Sequence, residues 1–142
     1  MILRPLSQTA VFGTQGRRQV DVGFYGRLSE VEAKCQISGD TVRASLDIVL
    51  AAERGASAKG DGVDLEYFVA VTGSDQSILS KKNFPIRINV PADARRAAVT
   101  DHIEEAIALG GRRPADVTIN VGFQQSPEVV EFYKNFRGPT GR

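Results

Sequence analysis

The sequence predicts a mostly β domain: two packed antiparallel sheets of about seven strands, finished by a short C-terminal helix. Three features lead there. Apolar and polar residues alternate over most of the chain, the period of strands with one buried face. Clusters of Gly, Ser and Asp interrupt those runs at short spacing, as turns do. After residue 125 the pattern changes to that of a helix.

The elements follow in order. Over residues 20–28, Val20, Val22 and Phe24 alternate with Asp21, Gly23 and Tyr25. Ala33, Cys35 and Ile37 then alternate with Lys34 and Gln36. Ser38-Gly39-Asp40 has the composition of a tight turn, and Val42, Ala44, Leu46, Ile48 and Leu50 bring the chain back. That pair is a hairpin. Residues 54–62, rich in Gly, Ala, Ser and Lys, read as a mobile loop.

A strand resumes at Val63, Leu65, Tyr67, Val69 and Val71, and Gly73-Ser74-Asp75-Gln76 turns it. In the extended run 77–90, Pro85 donates no ladder hydrogen bond, which places it on an edge strand or at a bulge. Residues 94–109 carry a conflict: Val99, Ile103 and Ile107 fit either period, and Ala-rich 93–98 favours a helix by propensity. The succession of strands around the segment decides for a strand. Val117, Ile119, Val121 and Phe123 form the last strand. Ser126-Pro127-Glu128 then supplies an N-cap, a proline at the first helical position and an early acid, opening a helix over 126–137 that Gly138-Pro139 ends.

No repeat or linker divides the chain, so residues 1–142 form one domain. A domain of this size removes roughly 68% of its unfolded surface from water and can hold a core unaided. The spacing of the strands fits an immunoglobulin-like or fibronectin-like sandwich, with a barrel as the alternative. A formal net charge of +1 offers no excess of cations to displace phosphate counterions, so nucleic acid is not an expected partner. The pairs Arg17-Arg18, Lys81-Lys82, Arg95-Arg96 and Arg112-Arg113 are scattered and read as solvated surface. No apolar run reaches the ~20 residues needed to cross a bilayer as a helix. Composition alone leaves open a cytosolic protein or the mature part of an exported one.

The order of motifs adds to this reading: Ile2-Leu3 with Leu6 to Phe12, then Cys35, then Ala51-Ala52-Glu53-Arg54-Gly55 heading a loop. Tyr67-Phe68-Val69-Ala70-Val71 follows, then Val121-Gly122-Phe123-Gln124 and Ser126-Pro127-Glu128. This order resembles a family of small, uncharacterised lipoproteins of Gram-negative bacteria, over nearly the whole chain. The resemblance implies a periplasmic domain, held at the outer membrane by a lipid anchor upstream of residue 1, with an unknown protein of the cell envelope as partner. Members carry an export signal and a lipidated cysteine ahead of the domain, and often a second cysteine; this sequence shows neither. The resemblance therefore implies that Cys35 could pair with a cysteine upstream, and it implies no activity.

No catalytic, cofactor or metal site is expected. Cys35 and His102 are the sole cysteine and histidine, which excludes an internal disulfide and a Cys/His zinc cluster. Alternation with Ala33 and Ile37 turns Cys35 inward as a small buried hydrophobe. His102 stands among Asp101, Glu104 and Glu105, a cluster able to raise its pKa. Asp61, Asp64 and Glu66 miss the oxygen spacing of a calcium loop. Glu30 and Glu32 share a strand face without a cleft signature, and Lys59-Gly60-Asp61-Gly62 lacks the helix that follows a phosphate loop.

Two function classes remain. One is a non-catalytic binding or scaffolding module; the other is a small-ligand binder or enzyme using a cavity of the sandwich or barrel. The first is favoured because acids, bases and nucleophiles do not converge. The residues singled out for a partner are Val129, Phe132, Tyr133 and Phe136 on the C-terminal helix. The competing expectation for the same residues is that they close one open end or edge of the sandwich, with Tyr133 nearer the rim.

Overall fold

The computed structural model describes residues 2–6 and 8–134, with side chains from Gln8 onward. Among the described residues, eight strands build two four-stranded sheets. They are β1 (Ile2–Leu6), β2 (Gln8–Phe12), β3 (Val22–Ser38), β4 (Thr41–Arg54), β5 (Gly62–Thr72), β6 (Ile78–Asn89), β7 (Arg96–Ala108) and β8 (Thr118–Phe123). One sheet has the order β1-β8-β5-β6 and the other β2-β3-β4-β7. A short helix, α1 (Pro127–Lys134), follows the last strand. The expected two-layer antiparallel sandwich is what the chain forms. Residues 96–108 are indeed a strand: its pairing with β4 from Arg96 to Ala108 outweighs the helix propensity of its alanines.

The two sheets are tied at both rims. At one rim the consecutive strands β1 and β2 lie in different sheets, β1 parallel to β8 and β2 antiparallel to β3. At the other, β6 and β7 are the edge strands, and side chains cross between the layers. Tyr67 on β5 donates to Asp101 on β7 at 2.5 Å, and Lys82 on β6 reaches the buried Glu105 at 3.0 Å. Between the rims, Leu46, Ile48, Leu50, Tyr67, Ile88 and Ile119 are fully buried and fill the interior. Each such side chain contributes roughly 1.5–3 kcal/mol by leaving water. Pro85 lies on β6, an edge strand, where its missing N–H costs no ladder bond.

Three local expectations change. Gln19–Asp21 is a single 3-10 turn and not the start of a strand. Asp21 ends the turn, accepting hydrogen bonds from the Thr14 hydroxyl at 2.6 Å and the Arg18 amide at 3.0 Å. Those donors hold its carboxyl below the usual range, the Thr14 bond foremost. Val20 consequently points outward. The runs 22–28 and 33–37 are one strand of 17 residues, joined through a bulge between Leu28 and Glu30.

The loop after β4 is pinned, where a mobile one was expected. Arg54 donates to the carbonyls of Ala94, Gly60 and Val90, and the Gly55 and Ser57 amides bond to Gly23 and Val22. A single guanidinium thus ties this loop to the β6–β7 connection through three carbonyls, a role that the small-residue composition of the loop conceals.

Candidate functional site

The feature that stands out is the second half of β3. Strand β2 covers β3 only from Val22 to Arg27; beyond that, among the described residues, no strand lies along that side. On its other side β3 stays paired with β4 all the way to Ser38↔Thr41. The loop between them is two residues, with Gly39 at φ 61°, the positive value that a II′ turn requires at its first central position. The Asp40 carboxylate fastens this turn by accepting from the Gly110 and Gly111 amides, both at 2.9 Å. The hairpin is therefore anchored at its tip and exposed along one edge.

The orientation of that edge follows from the turn. A two-residue loop makes its flanking residues, Ser38 and Thr41, a hydrogen-bonded pair, and bonded and non-bonded pairs alternate along the ladder. Gln36, Lys34 and Glu32 aim their backbone groups at β4. Val31, Ala33, Cys35 and Ile37 aim theirs away from it, toward the uncovered side.

The same four residues form an apolar row opposite Ile48, Leu46, Ala44 and Val42, which are buried. Their side chains thus turn toward the core face, yet Ala33, Cys35 and Ile37 are exposed, Ile37 at 60%. This corrects the expectation that Cys35 is buried. Alternation reports the face a side chain points to; whether anything covers that face is decided by the opposite sheet. On the outward face of the segment, Glu30, Glu32, Lys34 and Gln36 alternate with the apolar row; Glu30, Glu32 and Lys34 carry charge.

The other candidates resolve differently. His102 bonds Asp47 at 2.7 Å and Glu104 at 3.2 Å on the outer face of its sheet. Hydrogen bonding to Asp47, then to Glu104, raises its pKa. Asp101 and Glu105, expected beside it, face the opposite side of β7, because neighbours along a strand alternate. Asp61 and Asp64 both pair with Arg87, at 3.3 and 3.4 Å.

On α1, Ser126 accepts a hydrogen bond from the Val129 amide at 3.3 Å, as its N-cap role requires. Val129 and Phe132 are buried, and Phe132 packs with Ala10 and Val22 of the chain itself. The chain itself covers these two side chains. Tyr133 is half-buried and donates to the Thr9 carbonyl at 2.9 Å; Phe136 lies outside the described residues. The helix packs Phe132 on β2 and the start of β3, in a cluster separate from the core between the sheets.

Two surface recesses among the described residues are shallow and open. One is lined by Gly13, Gly23, Phe24, Ser57, Lys59 and Arg87. Another lies on the outer face of the β8-β5-β6 sheet, around Phe68, Ile78, Lys81 and Asn120. Among the described residues, no buried side-chain nitrogen or oxygen lacks a hydrogen-bond partner, and none is left aimed at a ligand. No protein-family model, curated protein or solved structure matches the chain.

Proposed function

We propose that this domain is a non-catalytic binding or scaffolding module that acts through protein–protein contacts, with the β3 edge as its working surface. The observation carrying this reading is the segment from Leu28 to Ser38, along which no strand of the described residues lies on the side away from β4 and which carries an exposed apolar row. Natural sheets usually blunt a long edge of this kind, and strand addition is a recurrent way for one protein to hold another. The described recesses are open and no buried polar atom among the described residues is left unpartnered, which favours this over a small-ligand site, where a concave apolar pocket carries a few convergent polar groups.

The setting we propose is the cell envelope, with the domain periplasmic and tethered at the outer membrane by a lipid anchor. That part rests on the lipoprotein resemblance. Fractionation of the native gene product tests it, and a cytosolic, unlipidated product would overturn it.

The binding reading is tested by a photo-cross-linking residue at Gln36 in the native host. Adducts are expected, and Ala33→Pro should abolish them by removing an edge N–H and blocking strand addition. Absence of adducts from the otherwise unchanged chain would overturn the reading.

A further inference from the structure

We infer that the partner strand is β3 of a second copy of this chain, antiparallel to the first, with the two-fold axis at Ala33. This rests on the edge reading above and names its occupant. The argument comes from register. Backbone geometry requires the residues that present edge groups, Val31, Ala33, Cys35 and Ile37, to lie opposite the same set in the added strand. Shifts of one residue are excluded, since they mismatch the ladder and turn the apolar row to the wrong face.

Among the registers left, the length of strand paired is greatest with Ala33 at the centre, and charge separates that register from its nearest neighbours. With Ala33 opposite Ala33, Glu32 faces Lys34 of the second copy and Lys34 faces Glu32, so symmetry makes the contact twice. Sliding by two residues one way sets Glu32 against Glu32; sliding the other way sets Lys34 against Lys34. Both are like charges directly opposed, which disfavours pairing.

Within one chain the pattern is unbalanced in the complementary sense. Glu32 lies directly across from Asp47, a second carboxylate, while Lys34 lies across from Ser45. Among the described residues, Asp47 pairs with His102, and no ion pair joins Glu32 or Lys34 to anything. Self-pairing places Lys34 of the second copy beside Glu32, next to Asp47, and supplies the missing cation. It also sets Val31 against Cys35 of the second copy, which keeps the apolar row continuous. The result is one sheet running β7-β4-β3 into β3-β4-β7.

The test is sedimentation equilibrium of the chain and its charge variants. A single strand pair is a small interface, so a reversible dimer with a dissociation constant on the order of micromolar is expected. Glu32→Lys and Lys34→Glu should each weaken it by about tenfold, because two attractive contacts become repulsive. The double variant E32K/K34E should restore it. Both positions are exposed, so unchanged far-ultraviolet circular dichroism and melting will show that the variants fold.

A chain that stays monomeric up to ~1 mM overturns the inference, and so does a double variant as weak as the single ones. The Gln36 cross-linker separates this from the edge reading. An adduct of twice the chain mass supports self-pairing. An adduct with a different protein, lost in Ala33→Pro, leaves the edge reading standing and removes the second copy.

Discussion

Tyr67 on β5 donates its phenolic proton to Asp101 on β7 across 2.5 Å, joining the two sheets where their edge strands meet. The ring is fully buried and stacks on Phe84, 5.3 Å between centroids. Burial, reinforced by the hydrogen bond to the Asp101 carboxylate, pushes the phenol pKa up, so Tyr67 remains a donor at alkaline pH. Tyr67→Phe keeps the ring and removes only the donor. It should cost about 1–3 kcal/mol in denaturant unfolding, the range for a hydrogen bond to a charged group. Asp101→Asn should lose less, since an amide oxygen still accepts.

The C-terminal helix should behave as part of the domain. Phe132 packs edge-on against Phe12 at 5.5 Å and Tyr133 at 5.2 Å. An eight-residue helix is marginal alone, so this packing holds it. Phe132→Ala should cost roughly 3–5 kcal/mol, and truncation after Gln125 should lower the melting midpoint by at least as much. An unchanged midpoint would mean that the helix adds nothing to the isolated fold.

Cys35 should react in the native state. Its exposure on β3 predicts stoichiometric labelling of dilute folded protein by a thiol reagent, at a rate approaching that of the unfolded chain. Labelling only after denaturation would place the side chain under cover that the fold does not show.

His102 gives stability a pH dependence of defined sign. Its folded pKa is raised by Asp47, then Glu104, so the protonated form is favoured in the folded state. That stabilisation is complete below the unfolded value of about 6.5 and is lost as pH rises through the folded value. The melting midpoint should therefore fall slightly above about pH 6.5, and His102→Gln should remove this component. The site is open to solvent on the outer face of the sheet, so the effect is small and should shrink with salt.

Much of the fold was legible along the chain because strand structure is local. Alternation located β4, β5 and β8, Gly39 marked the hairpin turn, and Ser126-Pro127 marked the helix start. Strand context also settled Arg96–Ala108 against its own propensity. Of the acids around His102 in sequence, Glu104 bonds the ring, whereas Asp101 and Glu105 occupy the opposite face of the same strand and Asp47 comes from β4.

The sequence by itself determined which face each residue of β3 turns to, and it set the alternation of Glu32, Ala33 and Lys34 on which self-recognition would depend. Only the tertiary structure decided that Cys35 and Ile37 are exposed and that Phe132 is buried. Burial depends on what stands opposite, and here that depends on where β2 ends, which sheet β1 joins and where α1 lands. Those are contacts between segments far apart in the chain, and no local period encodes them.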